Sequence, residues 1–318
     1  MPLSHRPATP QDLDACWRIV RGDAFYPPAL RETRTAFWRR LMAEEAVLSV
    51  VVEDSERPPE TRLRCFSLSL FVTDAFAAEA RAALPPGITG HLHARTLAGA
   101  SPILGHSAIG RANARGGLTL VINPYGYAGD ASPKALVEST EMMFSCLFTY
   151  HAGYQIKELL LESYDQEWAF QNVAAGMRVR ADHADCFQAH PEARRPDQPP
   201  ALLGLTREEA FTSLGNRCFP LFLFTRPQLG FRRSEQRLLG HALGGGTNEE
   251  SAQALNVSLS AVKKRWEAIY ACVTQIAPEL LSPHPYNAPP ERTRGLGKKD
   301  RLLAYLRQHP EELRPYQP

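Results

Sequence analysis

At 318 residues, with 44% hydrophobic and 22% charged residues, the chain has the composition of an ordinary folded protein and length enough for two domains. Its formal net charge of +2 is unevenly split: residues 226–318 hold 14 Lys and Arg against 9 Asp and Glu, a net of +5, and the remainder nets −3. A uniformly basic or acidic chain is excluded, and any polyanionic partner is expected at the C-terminal third.

In chain order, Thr9-Pro10-Gln11-Asp12 has the form of a helix start, followed by apolar Leu13, Cys16, Trp17 and Val20. Val47–Val52 and Arg64–Val72 have strand character and flank a Pro58-Pro59 turn. Gly117–Ile122 is a third predicted strand, ending at Asn123-Pro124-Tyr125-Gly126. Ser132-Pro133 opens a helix to about Tyr150, because proline is favoured just inside a helix start. Ile156–Glu162 is a strand, Gln166–Ala175 a helix and Met177–Arg180 a strand. Ala189–Pro200, rich in Pro, Arg and Gln, has linker composition. Phe219–Phe224 is a short, strongly apolar run expected to be either a strand that docks the two domains together or an ordinary buried strand.

Residues 1–185 resemble the GNAT (acetyltransferase-like) fold. The resemblance is carried by His5-Arg-Pro-Ala-Thr-Pro-Gln-Asp-Leu-Asp14, Ile156–Glu162, Ala169-Phe-Gln-Asn172 and Ala175-Gly-Met-Arg178. It implies an α+β domain with a mixed central sheet and flanking helices. It also implies an Arg/Gln-x-x-Gly-x-Gly/Ala loop whose backbone amides, at a helix N-terminus, hold the acyl-CoA pyrophosphate. The stretch in that place, Asn123–Pro133, keeps Gly126 and Gly129 but lacks the basic residue; Asp130 adds a negative charge and Pro133 removes a donor. A degenerate, non-catalytic sensor or dimerisation domain is therefore expected, with no catalytic residue and no cofactor.

Other constellations are weaker. His91, His93 and His106 lie in a segment without recognisable metal-ligand spacing, expected to be loop-like, and no metal is expected. Ser107, Ser139 and Ser163 lack a nucleophile-elbow context. Tyr125, Tyr127, Phe144, Phe148, Tyr150 and Tyr154 fit either a ligand pocket or, more often, plain core. Cys16, Cys65, Cys146, Cys186, Cys218 and Cys272 are scattered, as small buried hydrophobes of a reducing compartment would be. No apolar run approaches a membrane span, and Met1-Pro-Leu-Ser-His lacks a signal-peptide layout, so a cytoplasmic location without membrane contact is expected.

Phe231–Val273 carries the densest local signals. Glu235, Leu238, Leu239 and Ala242 are helically spaced before Gly244-Gly245-Gly246, and Thr247-Asn248-Glu249-Glu250 forms a capping box. Ala252 and Leu255 form the inner face of the short helix that follows, and Asn256-Val257-Ser258 supplies a turn. A third helix, Leu259–Cys272, buries Val262, Trp266 and Ile269 and leaves Ser260, Lys263 and Lys264 outward.

This segment resembles the LuxR-type (GerE-type) helix-turn-helix of bacterial transcription regulators, matching without a gap at Glu235, Leu239, Gly245, Asn248, Glu250, Ala252, Leu255, Ser258, Val262, Lys263, Ile269 and Tyr270. Two places depart: Ser251 stands where the family has a branched aliphatic, and Arg265-Trp266 replaces a polar residue followed by Leu. The resemblance implies an all-α domain and double-stranded DNA as partner, contacted by Thr247, Asn248, Ser258, Ser260, Ala261, Lys263 and Lys264.

A further helix is expected over Lys298–Arg307. Residues 1–225 are thus expected to form a GNAT-like sensor or dimerisation domain, and 226–318 the DNA-binding domain of a homodimer, with a small-molecule effector as a further candidate partner. An acyl-CoA-dependent N-acyltransferase and a ligand-sensing regulator are the alternatives. The dimer contact is expected on the helix face bearing Trp266 and Tyr270 or in the first domain.

Overall fold

The computed structural model describes residues 3–129, 133–183, 200–213, 215–282 and 297–318. It divides into two compact units, one of Met1–His151 with Gln155–Leu223 and one of Phe224–Pro318 with Ala152–Tyr154.

The first unit is built on a seven-stranded mixed sheet in the order β1-β2-β3-β4-β5-β7-β6. The strands are β1 (Leu3–Arg6), β2 (Val47–Asp54), β3 (Leu63–Val72), β4 (Leu118–Tyr127), β5 (Ile156–Ser163), β6 (Arg178–Asp182) and β7 (Ala201–Thr206). Among the described strands only β4 and β5 pair in parallel, joined through helix α6 (Pro133–His151). A mixed central sheet with flanking helices is the α+β class expected of this half.

Alternation along β3 assigns its two faces. Phe66, Leu68 and Leu70 join a core with Leu13 and Cys16 of α1 (Leu13–Ile19), Trp38 and Leu41 of α2 (Arg31–Ala43), Phe76 and Ala80 of α3 (Asp74–Ala82), and Ile88 and Leu92 of α4 (Ile88–Leu97). Cys65, Ser67 and Ser69 face the other way, towards α6. Burying the aliphatic and aromatic side chains of that core contributes roughly 1.5–3 kcal/mol each.

Several expectations need correction. The strand predicted over Gly117–Ile122 runs on to Tyr127, because Asn123 and Pro124 bulge opposite the single residue Leu68 and pairing with β3 resumes at Tyr125. Proline has no N–H for a ladder, so the bulge is where it is tolerated. The stretch expected to be a loop or linker lies outside the described residues apart from Pro200; the strand that follows it, β7, inserts between β5 and β6. Phe219–Phe222 is a single 3-10 turn with Leu221 and Phe222 buried, not a strand, and Pro220 occupies its start. The segment holding the histidines is helical: His91 and His93 lie on α4, and His106 opens α5 (His106–Arg115).

Helix α1 begins where expected, but Asp12 does not cap it. Its carboxylate accepts from the Thr9 backbone N–H at 2.7 Å and from both Arg6 terminal nitrogens at 2.7 and 2.8 Å. Burial alone would raise the Asp12 pKa; the Arg6 and Thr9 hydrogen bonds outweigh it and hold the group at about 2. The folded pKa lies below the unfolded one, so this stabilisation is complete above pH about 4 and is lost as pH falls through about 2. Since Arg6 is partly exposed, Asp12→Asn is expected to lower stability by about 1–2 kcal/mol at pH 7. The difference should shrink towards pH 2 in urea titrations; a constant difference across that range would contradict this account.

The second unit contains α9 (Arg233–Leu243), α10 (Asn248–Ala254), α11 (Leu259–Ile276) and α12 (Lys298–Gln308), preceded in chain order by α7 (Gln166–Ala174) and α8 (Arg207–Thr212) of the first unit. Its core joins Leu238, Leu239 and Ala242 to Val262, Trp266 and Ile269, and closes with Leu302, Leu303 and Leu306 of α12. Helix α11 is four residues longer than predicted because Val273 continues its buried face. Trp266 is buried, stacked on Tyr270 at 5.6 Å with the Lys299 ammonium 5.1 Å from its ring. The Trp266 part of the face offered for dimer contact is therefore occupied within the unit itself.

Candidate functional site

In the second unit, three local devices fix α10 against α11. Thr247 Oγ1 accepts from the Glu250 N–H at 3.1 Å, and the Glu250 carboxylate accepts from the Thr247 N–H at 2.8 Å, closing the capping box. The hydrogen bonds from Thr247 also hold the Glu250 carboxyl below its ordinary pKa. Asn256 takes the left-handed conformation (φ 51°), a conformation asparagine tolerates, and ends α10. Ser258 Oγ then accepts from the Ala261 N–H at 3.2 Å and starts α11.

The buried Ser251 has a structural account. Its hydroxyl donates to the Thr247 carbonyl at 2.6 Å and lies 3.0 Å from His241 Nδ1, so this polar group in the core is satisfied. Trp266 Nε1–H donates to Asn248 Oδ1 at 3.2 Å, tying the first turn of α10 to the middle of α11.

These contacts sort the residues expected to meet DNA. Ser260, Lys263 and Lys264 are exposed at i, i+3 and i+4 on α11, opposite the buried Val262, Trp266, Ile269 and Val273. Among the described residues, neither lysine is paired with a carboxylate. Thr247 and Ser258 are exposed at the starts of the two helices, Ala261 is half-buried, and half-buried Asn248 spends its amide oxygen on Trp266. Glu267, one turn beyond Lys263, is exposed on the same stripe and limits how far a polyanion is favoured along it.

In the first unit, the stretch corresponding to an acyl-CoA phosphate loop is largely strand. Asn123–Tyr127 belongs to β4, and Asp130–Ser132 lie outside the described residues. A side chain on Gly126 would meet the Ile19 carbonyl at 2.3 Å, so this glycine answers to the close approach of the last residue of α1. Pairing of β4 with β5 stops at Val121 and Leu160, and the strands part. The opening is spanned by Asn123, whose side chain accepts from the Glu162 N–H at 2.8 Å and donates to its carbonyl at 3.1 Å, imitating a ladder.

Sequence spacing missed the cation in this region. Arg21, from just beyond α1, lies with its guanidinium 3.8 Å from the centre of the Tyr127 ring. It also missed the buried Glu162 carboxylate, which accepts from the backbone N–H groups of Gly87 at 3.0 Å and Ile88 at 2.8 Å at the start of α4, and from Tyr164. Burial raises the Glu162 pKa, against the pull of those hydrogen bonds. No motif signals either residue, because the partners are remote in sequence.

The histidines do not converge. His91 Nε2 bonds to the Pro85 carbonyl, while His93 is buried, 2.6 Å from the Tyr26 hydroxyl and stacked on Phe37 at 4.1 Å. Among the described residues no group of three or more His, Cys, Asp or Glu is placed to hold a metal ion. No described helix is long and apolar enough to cross a membrane.

No protein-family model matches the chain, and no curated protein matches it. Among solved structures it is similar to the C-terminal condensation domain of Ebony in complex with beta-alanyl-dopamine, at 14% identity and a TM-score of 0.39, covering 64% of this chain and 98% of that one. It is also similar to a spermidine/spermine N-acetyltransferase from Vibrio cholerae in complex with manganese ions (9% identity, TM-score 0.39, 66% and 95% covered). A third is a putative acetyltransferase of the GNAT family from Desulfovibrio desulfuricans (10% identity, TM-score 0.36, 64% and 98% covered).

Proposed function

We propose that this chain is a sequence-specific DNA-binding transcription regulator of LuxR-like type, in which α10 and α11 form a helix-turn-helix and α11 enters the major groove. The observation that carries this reading is the outward stripe of Ser260, Lys263 and Lys264 on a helix whose opposite face is fully packed. Short and cationic side chains at the exposed start of such a helix suit base edges and phosphates. Ser258, at the N-terminus of α11, suits a phosphate oxygen; the hydroxyl and N–H of Thr247 both donate to the Glu250 carboxylate instead. One module of this size offers a small interface, so two copies on a two-fold site are the expected arrangement. Selection of bound sequences from random DNA by the full-length chain tests the reading at physiological salt. Enrichment of a defined, two-fold-related motif is expected; a pool that stays random after repeated rounds would overturn it.

A second reading is acyl transfer from acyl-CoA by the mixed-sheet unit. Two observations favour it: the parting of β4 from β5, and the Arg21 guanidinium beside Tyr127 where the sequence pattern lacked a cation. Against it stands Asn123, which fills the opening. If an acyl-CoA site is present, acetyl-CoA at about 100 times its dissociation constant adds roughly 2.7 kcal/mol of stability, visible as a rise in melting temperature. The regulator reading expects no such rise.

A further inference from the structure

The α6 side of the sheet is not filled. Cys65, Ser67 and Ser69 of β3 point to it, small side chains that leave space below the helix except where Ser69 reaches His151. Between them and α6 lies a largely apolar cavity, partly open to solvent, roofed by Met143, Phe144, Leu147 and Tyr150 and walled by Trp168 of α7.

The lining specifies the ligand's chemistry. None of the residues around this cavity is Asp, Glu, Lys or Arg. A charged ligand would leave its hydration without gaining an ion pair, so the site selects an uncharged one. The polar side chains in the wall are mostly committed to one another. His151 Nδ1 lies 2.8 Å from the Leu147 carbonyl, which only accepts, so Nδ1 carries the proton. The Ser69 hydroxyl donates to the Leu48 carbonyl at 3.0 Å and lies 2.7 Å from His151 Nε2. Asn172 donates to the Trp168 carbonyl at 2.8 Å. The exception is the Trp168 indole: its Nε1–H is buried and has no acceptor among the described residues. A buried indole N–H ordinarily has one.

We propose that the cavity between α6 and the β2–β4 face is a binding site for an uncharged, largely apolar small molecule whose carbonyl or similar oxygen accepts from Trp168 Nε1–H. This site is distinct from the α11 stripe, and its occupancy does not depend on the DNA-binding reading.

The test uses the full-length chain and the neutral fluorescent probe N-phenyl-1-naphthylamine, competed with 2-decanone or with decanoate of matched length. Probe fluorescence is expected to rise on binding, and the ketone to displace it at a concentration at least tenfold below that needed for decanoate. Leu147→Trp and Ser67→Phe fill the cavity from opposite sides and are expected to abolish probe and ketone binding while retaining a cooperative melt. Trp168→Phe keeps the aromatic wall but removes the donor, and should weaken the ketone at least fivefold. Displacement by decanoate as effective as by the ketone would overturn the proposal. So would probe binding unchanged in whichever filled variant folds, or no binding to the unaltered chain.

Discussion

Replacing Lys263 and Lys264 together by alanine is expected to reduce affinity for a selected DNA site at least thirtyfold and to leave the melting temperature nearly unchanged. Both ammonium groups lie on the exposed face of α11, so no core contact is lost. Contacts of this kind to bases or phosphates contribute roughly 1–3 kcal/mol each, and the lower bound of about 2 kcal/mol for the pair already corresponds to about thirtyfold. The salt dependence separates the roles. A lysine that meets a phosphate releases a counterion on binding, so its loss should lower the salt slope by about one. A lysine that meets a base edge should instead relax preference at one position. Affinity unchanged at physiological salt would show that α11 does not present its Lys263–Lys264 face to DNA.

The second large effect is expected at Trp266. Trp266→Ala should cost about 3–5 kcal/mol, since it empties a buried indole site in a small core. It also removes the stack on Tyr270 and the hydrogen bond to Asn248, which holds α10 against α11. Trp266→Phe should cost less, because it keeps most of the apolar contact and loses mainly the hydrogen bond, worth about 0.5–1.5 kcal/mol. Amide hydrogen exchange locates the damage: α9, α10, α11 and α12 should lose protection, with β2–β5 spared. Full protection in α10 and α11 of the alanine variant would show that the indole does not organise this unit.

Both expectations concern a segment whose construction is written locally. Thr247 and Glu250 are three residues apart, Ser258 caps an amide three residues on, and Val262, Trp266 and Ile269 recur at helical spacing. Their partners are fixed by helix geometry, so the sequence alone placed the helices and caps to within a few residues. The departures at Ser251 and Trp266 needed coordinates, because their partners His241 and Asn248 come from other turns and helices.

In the first unit, the hydrophobic alternation of β2, β3 and β5 and the proline-led start of α6 were legible for the same reason: each is a short-range pattern. Five described helices, α2 to α5 and α8, escaped that reading, although α2 carries Phe37, Trp38 and Leu41 at i, i+1 and i+4. That stripe is narrow, between arginine-rich flanks, and signals little until the sheet it covers is known.

The amino-acid sequence by itself determined the caps, the apolar faces and the uneven charge, all set by neighbours within a turn or a strand. Tertiary structure alone decided the return of β7 into the sheet, the bridging of β4 and β5 by Asn123, and the placement of Arg21 on Tyr127. It also decided the cavity, where Ser69 meets His151 across 82 positions of chain. Such pairings depend on which strands lie side by side, and strand order is a property of the whole packed sheet, with no short-range pattern to announce it.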